Sequence, residues 1–179
     1  MCKFRDLRAD EIECRIQSVK EYPEHPDRSG LVLLLYKDAR VDMNILDETV
    51  GSANWQREHY ECKGNLYCRV GINTNYDKPD LPDRWIWKSD CGTESNTEAV
   101  KGESSDSFKR SCFNFGIGRC LYTAPFTWIP ADKCNIKNGK CYDKFIVEKI
   151  IIENKQITAL AIYNVTKKCR AFVWQKDKQ

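Results

Sequence analysis

The chain has 179 residues, of which 41% are hydrophobic and 31% charged, with a formal net charge of +3. That length suits one domain with its own core and is short for two, and no stretch approaches the roughly 18 apolar residues of a membrane helix. The net charge alone excludes little, because a nucleic-acid binder can gather cations on one face and stay near neutral overall.

The start, MCKFRDLRADE, carries cations but no apolar h-region, so no secretory signal is read and a cytoplasmic location is expected. In that compartment the ten cysteines stay reduced. Cys62-x5-Cys68 and Cys134-x6-Cys141 lack the tight C-x2-C pairs of a zinc ribbon, and there are only two histidines. The expectation is therefore no bound metal and mostly buried thiols.

Residues 11–19, EIECRIQSV, alternate Ile12, Cys14 and Ile16 with charged or polar neighbours, the period of a half-buried strand. YPEHPDRSG is a loop and LVLLLYK a buried strand, so the first forty residues predict a β-hairpin with an expanded turn. ARVDMNILDETVG changes to a helical period, with Val41, Ile45 and Leu46 on one side and Gly51 placed as a C-cap. Three strands follow, Trp55 to Cys62, Leu66 to Thr74 and Arg84 to Asp90, joined by KGN at 63–65 and by NYDKPDLPD. Together they predict an antiparallel meander.

KGESSDSFKRSCFNFGIG comes next. At about 100° per residue, Val100, Phe108, Cys112 and Phe115 share one arc, with Ser104 and Ser111 inside it, small enough for the helix to lie close against a sheet. NTE at 96–98 offers an N-cap, and Gly116 and Gly118 end the helix. RCLYTAPFTWIP reads as an irregular segment. KFIVEKIIIENKQITALAIYNV reads as two strands around a turn near Asn154, and Ala171 to Trp174 as a last strand.

No G-x-x-x-x-G-K-[ST] loop is present, and the G-x-G of FGIGR sits at a helix end, where it cannot present N–H groups to a phosphate. ATP-driven chemistry and a nucleotide cofactor are not expected. Glu153-x-Lys155, with Asp143 upstream, fits the acidic-x-lysine pattern of a metal-dependent nuclease. The same residues at the centre of an apolar hairpin are also ordinary turn composition. Among the cations, Lys101, Lys109, Arg110 and Arg119 come from one helix and its exit, Arg40 begins the earlier helix, and Lys88 lies in the meander. A cation pair on a helix is most often solvated surface. Here Asp106 stands at i−4 to Arg110, whereas Ser105 stands there for Lys109, which leaves Lys109 no helical counter-ion at that spacing. Eight tyrosines, seven phenylalanines and five tryptophans supply rings on which bases can stack.

The order of these motifs resembles the Rad fifty-two superfamily of single-strand annealing proteins, especially its phage and prophage (Sak-like) members. The resemblance rests on Tyr36 ending a strand, Glu48 and Gly51 in the E-x-x-G helix, Trp55, the meander, and Asp106, Phe108, Lys109, Arg110, Phe115 and Gly116 in the D-x-hydrophobic-K-R…F-G helix. It covers residues 30–122. It implies a β-β-β-α core, an antiparallel β-meander on a long helix; with the N-terminal β-hairpin and short helix and the C-terminal β-hairpin read from the residue pattern, the expected fold is α+β. The chain is then a single domain over 1–179, with the annealing core at 30–122 and a β-rich extension at 130–179. By resemblance Lys109 and Arg110 contact the phosphates of single-stranded DNA, and Arg40 is a softer carry-over. Three residues after Arg110, where eukaryotic members have another basic residue, this chain has Phe113; that contact is lost or moved to Arg119. The implied activity is ATP-independent binding and annealing of single strands by a homo-oligomeric ring or filament, without catalysis or cofactor. A single-strand-binding protein is a candidate further partner, and the cytoplasm of a bacterium or phage-infected host the setting. A metal-dependent nuclease, a general nucleic-acid-binding module and a structural domain with internally paired cations remain the alternatives.

Overall fold

The computed structural model describes residues 3–93 and 99–177, and only the backbone of residues 99–101. The protein is α+β, with two α-helices and strands that pair antiparallel throughout the described residues. The chain divides into two compact units, Met1–Asp6 with Ala39–Arg119, and Leu7–Asp38 with Cys120–Gln179. The strand Gly30–Tyr36, inside the stretch that carries the resemblance, belongs to the second unit.

In the first unit, helix α1 spans Ala39–Val50 and buries Ile45, Leu46 and Val50 on one face. Gly51 ends it at φ +82°, its N–H reaching the Asp47 carbonyl at 2.9 Å. Strands β3 (Trp55–Cys62), β4 (Asn65–Asn73) and β5 (Trp85–Cys91) form a three-stranded sheet in that order. Lys63 and Gly64, both at positive φ, make the tight β3–β4 turn. Helix α2 spans Ala99–Asn114 and packs on β4 and β5. At 16 residues it is a helix of ordinary length rather than the long one expected. Its inner face holds Ser107, Phe108, Ser111 and Cys112, all fully buried, against Cys68, Val70 and Ile72 of β4.

The Ser111 hydroxyl lies 2.6 Å from the Cys68 carbonyl, so the small side chain both admits the sheet and bonds to it. Ser104 is only half-buried, beside His59, and Ser107 takes the buried place instead. Gly92 lets the end of β5 pass the helix, since a Cβ there would stand 2.3 Å from the Glu103 carbonyl oxygen. The C-terminus of α2 closes as a Schellman turn: the N–H of Gly116 (φ +93°) meets the Phe113 carbonyl at 2.9 Å, and that of Ile117 meets Cys112 at 3.2 Å. The expected N-cap at 96–98 lies outside the described residues.

The second unit is built on a six-stranded sheet. Its strands are β1 (Glu13–Lys20), β2 (Gly30–Tyr36), β6 (Thr127–Pro130), β9 (Phe145–Glu153), β10 (Gln156–Asn164) and β11 (Cys169–Gln175), in the order β11-β10-β9-β1-β2-β6. Between β6 and β9, β7 (Ile136–Lys137) and β8 (Lys140–Cys141) make a small ribbon. Leu31, Leu33, Ile129, Phe145, Val147, Ile157, Leu160 and Ile162 fill the core. The expected irregular segment RCLYTAPFTWIP is regular in two parts, a 3₁₀ turn at Arg119–Thr123 and strand β6. Thr127 and Ile129 are buried and alternate with half-buried neighbours, and Pro130 is tolerated because β6 is an edge strand. Asn154 and Lys155, at φ 49° and 62°, form the two-residue turn between β9 and β10.

A buried polar knot ties this unit together. Asp143 accepts hydrogen bonds from the Asn135 backbone N–H at 2.8 Å, the Asn135 amide at 2.9 Å and the Asn164 amide at 2.7 Å. Burial pushes the carboxyl up, but the bonds from Asn164 and Asn135 outweigh it and hold the pKa below the ordinary aspartate value of 3.8. A carboxylate depressed in the folded state contributes stability that is complete above its unfolded pKa and is lost as pH falls through the folded one. Asp143→Ala is therefore expected to lower the melting temperature at neutral pH. It should also flatten the fall in stability between about pH 5 and about pH 2, as read from melting curves across that range.

Candidate nucleic-acid interface

Lys109 and Arg110 stand side by side on the outer part of α2, both half-buried. Lys109 has neither an ion pair nor a hydrogen bond among the described residues. Arg110 is held: its Nε lies 3.1 Å from Oδ1 of Asp90 on β5, with the two side chains 40% and 28% exposed, so water screens the pair. Asp106, one helical turn back, accepts from the N–H and hydroxyl of Thr93, both at 3.1 Å.

The cations beyond Arg110 serve the end of the helix. Lys88 Nζ donates to the Asn114 carbonyl at 2.6 Å and lies 4.9 Å from the centre of the Phe115 ring. Arg119 donates through Nε and Nη2 to the Phe113 carbonyl at 2.9 and 2.6 Å, and through Nη2 to Asn114 at 3.1 Å. Positive groups at a helix C-terminus complement its dipole and its open carbonyls. The Asn114 amide reaches Asp90 Oδ2 at 3.3 Å, which joins this end to Arg110. Lys88, Arg110 and Arg119 thus surround one helix terminus, with Lys109 beside them. Arg119 is exposed, but its guanidinium is already engaged by main-chain oxygens. Arg40 stands exposed in the first turn of α1, and the Lys101 side chain lies outside the described residues.

The other face of the three-stranded sheet carries what sequence reasoning counted but did not place. The β3–β4–β5 register sets Tyr60, Tyr67, Trp85 and Trp87 on the face away from α2. The Tyr60 and Tyr67 rings stack at 5.6 Å, Trp85 and Trp87 at 6.2 Å, and the Arg69 guanidinium sits 4.7 Å over Trp87. Arg69 is also paired to Glu58 through both Nε and Nη2. A Cβ on Gly71 would meet the Trp87 ring at 2.8 Å, so the glycine is what lets that ring lie flat on the sheet. The strand phase of these aromatics was the signal available in the sequence.

The nuclease constellation does not assemble. Asp143 precedes β9 and Glu153 is its last residue, so the length of the nine-residue strand separates them, about 26 Å at about 3.3 Å per residue. Asp143 is also occupied by the two asparagines. Among the described residues no group of three His, Cys, Asp or Glu side chains is placed to hold a metal ion. The described cysteines are all free thiols. Four of them are buried, fewer than the majority expected, because strand alternation leaves others at half-buried or exposed positions. Burial pushes Cys14 and Cys134 up to about 12 and Cys68 to about 11, which makes them poor nucleophiles. No described helix is long and apolar enough to cross a membrane.

The model of the Rad52/22 family of double-strand break repair proteins matches residues 5–140. The chain belongs to that family, and so to the proteins of DNA repair and recombination. No curated protein and no solved structure matches it. Strands β9, β10 and β11 lie beyond the matched residues.

Proposed function

We propose that this protein binds single-stranded DNA and anneals complementary strands without nucleotide hydrolysis, acting as a homo-oligomer. In this reading β3, β4, β5 and α2 form the β-β-β-α core of the family, and Lys109 and Arg110 hold the phosphates. The observation that carries it is Lys109, a half-exposed ammonium with no counter-ion among the described residues, beside a guanidinium that Asp90 already orients. Neutralising phosphates releases counterions, which supplies most of the affinity. With the backbone against the protein, base edges face outward and can test a second strand. Pairing is then downhill by about 1.4 kcal/mol per stacked step, with no other energy source required. An oligomer presents many weak sites in series, so avidity stands in for tight binding at any one.

Lys88 and Arg119 favour a different role. Their charges are used on the helix terminus, and we assign them to holding α2 in place rather than to DNA.

Annealing of two complementary labelled oligonucleotides, followed in chelator and without nucleotide, tests the proposal. Duplex formation should be faster with the protein than without it; an unchanged rate, or strand cleavage on adding magnesium, would overturn it. The Asp90–Arg110 pair gives a second handle. Asp90→Asn removes a negative charge from the site and releases Arg110 from that pair, so affinity for single strands should rise severalfold in a fluorescence titration.

A further inference from the structure

The segment Lys149-Ile150-Ile151-Ile152-Glu153 of β9 is an open edge within the six-stranded sheet. On one side β9 pairs with β10 from Phe145 to Glu153. On the other it meets β1 at a single pair, Glu13↔Ile146, beyond which the chain before β1 turns into the 3₁₀ helix Ala9–Glu11. No strand and no hydrogen bond from the described residues closes the outer edge of Lys149–Glu153. Lys149 and Glu153 are exposed, and Ile151 is 39% exposed. Folded proteins usually blunt such an edge with proline, a bulge or an inward charge. Here the extra residue of β9, Glu148, falls outside the segment, and the second irregularity, opposite Ile151 and Ile152, has its extra residue, Thr158, on β10. The segment itself therefore runs without an inserted residue through three successive isoleucines.

The segment is complementary to itself. An antiparallel pairing of two copies centred on Ile151 sets Lys149 opposite Glu153, Ile150 opposite Ile152, and Glu153 opposite Lys149. A register centred on Ile152 would instead set Lys149 against Lys155 and Ile151 against Glu153, so the charges select one alignment. We propose that β9 is a two-fold association edge, joining a second copy of this chain into one continuous sheet. Such a contact is isologous. In a cyclic assembly, where neighbours meet through unlike surfaces, it would join two assemblies rather than close one.

Charge reversal tests this with its own rescue. Lys149→Glu sets two acids opposite each other in the paired state, and Glu153→Lys two bases. Each variant alone should halve the particle mass measured by sedimentation velocity at low salt. The double variant Lys149→Glu/Glu153→Lys restores opposite charges and should restore the mass, and so should an equimolar mixture of the two single variants. Single variants that keep the wild-type mass, or a mixture and a double variant that both stay at half mass, would overturn the proposal. Single-strand affinity measured on the same samples should be unchanged per protomer, which separates failure of this contact from failure of the DNA reading.

Discussion

Replacing Lys109 and Arg110 together with alanine is expected to weaken binding to oligo-dT at moderate salt by at least about a hundredfold. Two charge-assisted contacts of about 1.5 kcal/mol each are removed, and each 1.4 kcal/mol is a factor of ten. The two residues should not contribute equally. Arg110 must exchange its Asp90 carboxylate for a phosphate, whereas Lys109 has no ion pair or hydrogen bond to give up among the described residues. Lys109→Ala alone should therefore account for the larger share. The fold should persist, because both side chains stand on the outer part of α2 and a screened ion pair contributes little to stability. A double variant that melts like the wild type and still binds with wild-type affinity would remove these residues from the interface.

Phe108→Ala should produce the largest loss of stability in the first unit. The ring is fully buried, stacks on Trp55 at a centroid distance of 6.1 Å, and has the Arg57 guanidinium 4.8 Å from its centre. Truncating a buried phenylalanine costs about 3–5 kcal/mol, out of the roughly 5–15 kcal/mol that holds a domain folded. The cavity would open between α2 and β3 and unseat Lys109 and Arg110 with the helix that carries them. Urea unfolding followed by tryptophan fluorescence should show a midpoint shift of that size, with Phe108→Leu much milder. A cost below about 1 kcal/mol would mean that the helix is not anchored by this ring.

Much of the fold was readable because its signals are local. Gly51, Lys63-Gly64 and Gly116 each sit where the backbone needs positive φ, and they place the ends of α1, the β3–β4 turn and the end of α2. β1 and β4 show two-residue alternation of apolar residues, whereas β2 and β9 are apolar runs bounded by turn residues. β6 escaped because four residues ending in proline give too short a pattern. The junction of β1 with β9 escaped because nothing local encodes a partner more than a hundred residues away.

The site divides along the same line. The helix arc placed Phe108 and Cys112 in the core and Lys109 outside it, as their burial shows. Helical spacing considers only neighbours three and four residues away, so it could not find Asp90 across on β5. Phe115 shares the arc but stands past the last helical residue, where it is half-buried and receives Lys88 instead of core neighbours. For Arg119 a cue existed: a cation directly after two glycines that end a helix is placed to cap carbonyls.

The central claim is that α2 grips the phosphate backbone, and the salt dependence of binding tests it most directly. For single strands the logarithm of affinity falls with the logarithm of salt by about 0.7 per phosphate contact. Removing Lys109 should make the line shallower by about that amount per protomer engaged. A Lys109→Ala line parallel to the wild-type line would show that this ammonium meets no phosphate.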